Sequence, residues 1–301
     1  MKAWRAELDP ALRTWGLLAG LMKGVTAENL RRTRRLASLG KQRVVKGVTT
    51  SNVDHGRLFV PTGAASPRPA LLWIHGGGYV MGRPEMEDGY ASRIARDLDI
   101  AVLSVRYRLA PEHRAPAQLE DCHAALVWLS EHGGVDASRI AVGGNSAGGG
   151  LAAALAQFAQ DRNEVSVAFQ LLVYPMLDDR TCLREELTAR RVLMWNNHSN
   201  RFGWGSYLGI EAGSADASAP AVPARRADLS GLPPAWVGVG GVDLFHDECV
   251  EYARRLGEAG VKCELVVAPG AFHAFDRIAA RTPVARSFVN AQREALRVGL
   301  T

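Results

Sequence analysis

The sequence predicts an α/β fold with a mostly parallel sheet covered on both faces by helices. Three observations carry that expectation. From Ala70 onward, short apolar runs rich in β-branched residues recur along the chain. Helix-length segments separate them. Each run is apolar throughout rather than alternating, as in strands buried on both faces. The composition agrees: 301 residues, 47% hydrophobic and 22% charged, with no repeat or low-complexity block, exclude disorder, collagen and coiled coil. No apolar run approaches the ~18 residues of a membrane span.

The N-terminal stretch has a short apolar segment, Trp15 to Met22. Glu7 and Asp9 precede it and no small-residue cleavage site follows, so an amphipathic helix is expected rather than a signal peptide. Glu28 to Leu39 is a second amphipathic stretch, and it carries Arg31, Arg32, Arg34 and Arg35. The net charge of +5, with 31 Arg against 5 Lys, raises nucleic-acid binding. This run is its only dense basic cluster, and it is read as a solvated helix face, with no nucleic-acid partner. Arg43–Thr50 and Arg57–Pro61 read as two strands joined at Asp54–Gly56. The buried runs follow at Ala70–Ile74, Ile100–Val105, Arg139–Val142, Ser166–Val173, Ala235–Val239 and Cys263–Ala268. Helices are expected over Pro84–Asp97, Ala117–Glu131, Ala147–Gln160, Asp247–Ala259 and Pro283–Val298.

One connection is out of scale. Roughly sixty residues separate the strand ending at Val173 from the one starting at Ala235, well beyond an ordinary crossover. Its first half reads as a helical insertion over the sheet, beside the N-terminal helices. The expected division is N-terminal cap helices over 1–42, a core over 43–176 and 215–301, and a cap insertion over 177–214. The four cysteines, Cys122, Cys182, Cys249 and Cys263, show no C-x-x-C or metal-ligand spacing, so four reduced thiols in a cytoplasmic protein are expected.

The sharpest chemical signal is Gly144-Asn145-Ser146-Ala147-Gly148, which follows one strand directly and opens a helix. A serine in G-x-S-x-G there sits on a strained turn above the sheet edge, where the helix N-terminus favours developing negative charge. A phosphate loop is the plain alternative, but neither G-K-[ST] nor G-x-G-x-x-G is present. The second signal, His75-Gly76-Gly77-Gly78-Tyr79, follows the strand at Ala70–Ile74. Consecutive glycines let backbone N–H groups point at an oxyanion, and losing one such donor costs about 3–4 kcal/mol of barrier stabilisation. A serine also needs an oriented base. His273, in a loop after the last strand, is the best placed of eight histidines. For the acid, Asp243 is preferred to Asp247, which is better placed to begin the next helix. The order Ser146, Asp243, His273 is that of α/β-hydrolases, with each residue just past a strand C-terminus.

With HGGGY and GNSAGG, the chain also carries YRLAPE at Tyr107–Glu112, PAQLED at Pro116–Asp121, Tyr174-Pro175 and FHAF at Phe272–Phe275. From about residue 40 onward it resembles the hormone-sensitive-lipase family of α/β-hydrolases, the bacterial esterases with an HGGG motif. The resemblance implies an eight-stranded sheet and a helical cap built from the N-terminus and an insertion after the sixth strand. It further implies Ser146, Asp243 and His273 as catalytic triad, and N–H groups of Gly76, Gly77 and Ala147 as oxyanion hole. At the acid, Asp243-Leu244-Phe245 replaces the family's frequent D-P-L, and Arg106 stands where an Asp often precedes YRLAPE.

The expected activity is hydrolysis of short- to medium-chain carboxylic esters through an acyl-enzyme, without metal or organic cofactor. An amidase, carbamate hydrolase or deacylase would use the same triad. A non-catalytic small-molecule receptor would have lost a triad residue, and none is missing here. Tyr79, Trp195 and Trp204 are candidate substrate-pocket residues, although packing of the cap explains the two tryptophans equally well. His75 is expected to anchor its loop, and Arg108, Glu112, Glu120 and Asp121 to form fold-holding ion pairs. A homodimer through the last strand and C-terminal helix is the assembly the resemblance implies.

Overall fold

A computed structural model describes residues 5–20, 24–39, 42–63, 66–189 and 192–301. One eight-stranded sheet runs through it: β1 (Val48–Val53), β2 (Gly56–Pro61), β3 (Arg68–Ile74), β4 (Ala101–Val105), β5 (Val135–Asn145), β6 (Phe169–Val173), β7 (Ala235–Gly240) and β8 (Cys263–Ala268). The spatial order is β1-β2-β4-β3-β5-β6-β7-β8. β1 and β2 form an antiparallel hairpin, β2 joins β4 antiparallel, and all other pairings are parallel. The continuous apolar runs have the cause inferred for them, since β4, β6 and β7 are buried at every position. β8 is an edge strand and exposes Leu265 and Val267.

Two strands depart from expectation. β1 begins at Val48 rather than Arg43, because Gly47 takes φ 85° and its carbonyl accepts from Thr62 N–H, so the ladder starts only after that turn. β5 extends back to Val135, and its register against β3 shifts between Arg68 and Ala70. The polar residues at that irregularity hide the strand from a hydrophobicity reading. The hairpin turn ends at Gly56, whose φ of 145° and contact with Ser104 O, 2.0 Å from where a Cβ would lie, admit only glycine.

The helices are α1 (Arg13–Ala19), α2 (Leu30–Leu39), α3 (Asp88–Leu98), α4 (Ala117–Glu131), α5 (Ala147–Arg162), α6 (Glu185–Ala189), α7 (Asn197–Leu208), α8 (His246–Glu258), α9 (Phe275–Ile278) and α10 (Pro283–Gly299). The long connection contains α6 and α7. Asn196 caps α7 by accepting from Ser199 N–H, and Ser199 Oγ in turn accepts from Val25 N–H, so the N-terminal segment and the insertion touch. The end of the apolar N-terminal stretch at Met22 lies outside the described residues. No described helix is long and apolar enough to cross a membrane. All four cysteines are free thiols, and Cys122, Cys182 and Cys249 are buried.

The expected ion pairs form. Arg108 binds Asp121 and Glu120, while Glu112 pairs with Arg34. Arg34 therefore corrects the reading of its helix as a purely solvated face. Its guanidinium donates to Val80 O at 2.6 Å and Ala110 O at 2.7 Å, and forks onto both oxygens of Glu112. It pins α2 to the segments that follow the glycine loop and β4. The Arg34 hydrogen bond holds the Glu112 carboxyl down at about 2 from an ordinary 4.5. A depressed carboxylate contributes stability that is full above its unfolded pKa and lost as pH falls through the folded one. The pair therefore weakens between 4.5 and about 2. Arg34→Met should return the Glu112 pKa toward 4.5, as read by NMR titration of its carboxyl carbon. An unmoved titration would show that the fork is not formed in solution.

Candidate active site

Parallel strands place their C-terminal ends along one edge, and the loops leaving β5, β7 and β8 bring Ser146, Asp243 and His273 together there. Ser146 has φ 57° and ψ −123°, a conformation side chains rarely adopt. The two motif glycines make that turn fit. A Cβ on Gly144 would fall 2.4 Å from Gly148 C, and one on Gly148 would fall 2.1 Å from Ile74 O. The elbow is also tied down, with Ser146 N–H donating to Val173 O and Ser146 O accepting from Gly150 and Met176.

His273 Nε2 lies 3.0 Å from Ser146 Oγ, and its Nδ1 lies 2.9 Å from Asp243 Oδ2. A carboxylate only accepts, so Nδ1 carries the proton and Nε2 is left as acceptor for the hydroxyl. Asp243 Oδ1 accepts from Phe245 N–H, which fixes the carboxylate plane. Tyr174 and Phe245 pack edge-on to the imidazole, at 4.8 and 5.2 Å between ring centres. All three polar residues are about 95% buried, with 5% exposure for Ser146 and His273 and 4% for Asp243. Asp247, the rival acid, instead stands at the start of α8 and pairs with Arg184 and His246.

The glycine loop faces the serine. His75 is buried, stacks on Tyr107 at 4.2 Å, and donates from Nδ1 to Gly76 O. Burial lowers its pKa, which favours the neutral ring. It holds the loop, as expected from the sequence. Gly76 requires a correction, because its N–H already donates to Asn145 Oδ1 at 3.2 Å. The N–H groups of Gly77, Gly78 and Ala147 have no hydrogen-bond partner among the described residues. Ala147 is the first residue of α5, where an orphan donor is expected. No feature of the HGGG string distinguishes its glycines; only the position of the Asn145 side chain does.

The three aromatic candidates separate. Tyr79 is 1% exposed and stacked on Tyr207 at 4.1 Å, its hydroxyl donating to Met176 O; Trp204, with no exposure, packs against both rings. Tyr79 is almost wholly, and Trp204 wholly, out of reach of water, so both pack the inserted helix onto the core rather than line a pocket. Trp195 lies on the glycine loop itself. A Cβ on Gly78 would fall 2.1 Å from Trp195 Cη2, and one on Gly203 would fall 3.2 Å from Trp195 Cζ2. The indole thus sits in a slot made by two glycines, with Nε1 donating to Asn200 Oδ1 at 3.3 Å.

Comparison with known proteins bears on the fold and the family. Residues 71–277 match the family described as having the alpha/beta hydrolase fold. The chain is 39% identical over 237 residues to Esterase LipI of Mycobacterium tuberculosis, spanning 77% of this chain and 73% of the relative. It is 37% identical over 226 residues to an ethyl acetate hydrolase of Pseudomonas putida, spanning 69% and 66% of the two chains. A solved bacterial heroin esterase superposes with a TM-score of 0.90 at 36% identity, covering 98% of this chain and 99% of the other. By fold, motifs and relatives, the chain belongs to the hormone-sensitive-lipase-like carboxylesterases of the alpha/beta hydrolase fold, and is a carboxylic ester hydrolase.

Proposed function

We propose that the protein hydrolyses short- to medium-chain acyl esters by a double displacement on Ser146. The observation that carries this reading is the continuous chain of hydrogen bonds from Asp243 through His273 to Ser146 Oγ on a strained strand-to-helix turn. Ser146 Oγ attacks the ester carbonyl carbon while its proton passes to His273 Nε2. Asp243 holds the tautomer and stabilises the imidazolium. The carbonyl electron pair moves onto oxygen, where the N–H groups of Gly77, Gly78 and Ala147 stabilise it. Gly76 is replaced by Gly78 in this donor set and serves instead to tether the loop through Asn145. Collapse of the intermediate breaks the bond to the alcohol oxygen, which takes the proton from His273 and leaves. Water, deprotonated by His273, then attacks the acyl-enzyme and releases the acid and Ser146.

Two observations support small acyl groups: the Trp195 indole fills the space over Gly78, and one relative is named an ethyl acetate hydrolase. The segments 1–42 and 177–214, which carry helices α1, α2, α6 and α7 among their described residues, serve as the cap over the site. Three buried thiols fit action in a reducing cytoplasm. A homodimer through the β8 edge is the accompanying assembly.

Initial rates on p-nitrophenyl esters from acetate to laurate test the chain-length reading. The rate should peak at or below octanoate and fall beyond about ten carbons, where a hydrophobic pocket of fixed depth no longer gains from added methylenes. A rate still rising at laurate would overturn it. Trp195→Ala should raise the laurate-to-butyrate ratio of kcat/KM about tenfold, the discrimination that a change of a few methylenes in pocket size confers. An unchanged ratio would remove Trp195 from the pocket. A matched butyryl amide, assayed in parallel, separates esterase from amidase.

A further inference from the structure

Behind the loop that carries His273, residues of α3, α9 and α10 line a cavity of about 390 Å³. Four arginines dominate its wall: Arg93 from α3, Arg277 from α9, and Arg286 and Arg293 from α10. Among the described residues their charges are unequally compensated. Arg277 forks onto Glu87, and Arg293 reaches Asp97 at 3.1 Å, an aspartate it shares with Arg96. Arg286 bonds only the backbone carbonyl of Arg281, and Arg93 has neither ion pair nor hydrogen bond among the described residues. Arg93 and Arg286 are exposed at the mouth of the cavity, and partial burial of Arg93, followed by the charges of Arg293 and Arg277 behind it, lowers its pKa. The one carboxylate lining the cavity, Asp276, accepts the Tyr174 hydroxyl at 2.9 Å, and burial raises its pKa toward the neutral acid.

We propose that this cavity binds a phosphate group, free or carried on a small metabolite. Two guanidiniums without a carboxylate partner match a phosphate dianion in charge, whereas a monocarboxylate would leave one of them uncompensated. The guanidinium is also the side chain whose planar fork meets phosphate oxygens two at a time. The volume holds several waters at ~30 Å³ each, enough for a phosphate and a short attached chain. The site is separate from Ser146, so the proposal does not rest on the ester chemistry.

Calorimetric titration of the purified protein with inorganic phosphate, at ionic strength fixed with chloride, provides the test. Saturable binding at millimolar phosphate is expected, with no comparable signal from butyrate. Arg93→Met and Arg286→Met should each weaken binding at least about tenfold, as loss of a charge-assisted fork implies. Thermal unfolding in chloride should remain close to that of the parent, which separates lost binding from lost fold. Tighter binding of glycerol 3-phosphate would assign the site to a phosphorylated metabolite, and equal or weaker binding to free phosphate; either supports the proposal. Absence of saturable phosphate binding, equal binding of butyrate, or full affinity in both variants would overturn it.

Discussion

Ser146→Ala should lower kcat on p-nitrophenyl butyrate by about 10³- to 10⁶-fold, and Asp243→Asn by about 10⁴-fold, while both proteins keep their unfolding midpoints. The two losses have different causes. Alanine removes the oxygen that forms the acyl bond, leaving whatever stabilisation the N–H groups of Gly77, Gly78 and Ala147 give to attack by water. Asparagine keeps the shape but can offer its amide nitrogen to His273, which stabilises the wrong tautomer and turns Nε2 away from accepting the Ser146 proton. Because the two residues act through one imidazole, the double variant should be scarcely slower than Ser146→Ala alone. Asp247→Asn is the control, and its surface pairs with Arg184 and His246 predict less than a few-fold change. Stopped-flow measurement of the p-nitrophenolate burst checks the acyl-enzyme directly. Comparable activity in Ser146→Ala and the parent would mean that another residue is the nucleophile.

Arg277→Met is expected to cost about 3–5 kcal/mol of folding stability, the penalty for leaving a buried charge without its partner. Glu87 has a side chain only 3% exposed, and both its oxygens face Arg277 nitrogens at 3.0 and 2.5 Å, with Trp73 Nε1 donating at 2.8 Å. Methionine can fill the volume of the stem but supplies no charge. Pairing the change with Glu87→Gln should recover much of the loss, because a neutral amide no longer requires a cation. Urea unfolding of the parent, the two single variants and the double variant closes the cycle. A double variant no more stable than Arg277→Met would show that packing of the arginine stem, not its charge, is what matters. A change confined to stability, with kcat per folded molecule retained, would separate this pair from the chemistry at His273.

The elements that the sequence made legible were those dictated by local pattern. β8 and α4 have the expected ends, and Ser146, Asp243 and His273 converge because each is punctuated by a strand end followed by small residues. What escaped depended on a distant side chain. Gly76 and Gly78 are equivalent as letters, and only the Asn145 amide, reaching back from β5, removes one N–H from service. Arg34 reads as one charge of four until Val80, Ala110 and Glu112 are brought beneath it by the fold. Tyr79, Trp195 and Trp204 share a chemistry but not a place, because helix α7 turns Trp204 inward onto Tyr79 of the glycine loop and its N-terminal approach lays Trp195 on Gly78. The start of β5 was hidden for a different reason, its polar residues sitting at a register shift where pairing is irregular.

The long insertion leaves the sheet after β6 and returns as β7, and these two strands are hydrogen-bonded neighbours, Gln170 beside Ala235 and Val173 beside Gly238. Because the two strands run parallel, its endpoints are fixed at opposite ends of neighbouring strands, Val173 at the end of β6 and Ala235 beside Gln170, whatever lies between them. For a flexible segment, doubling its length adds only about 0.6 kcal/mol of closure cost. The proposed nucleophile, base and acid hang from strands whose spacing the insertion does not set. Lineages can therefore lengthen, shorten or exchange this segment while inheriting the reacting groups intact. With 177–214 as the proposed cap, turnover and taste for substrate become separately heritable traits, and a graft of that segment from another esterase is the natural unit of exchange.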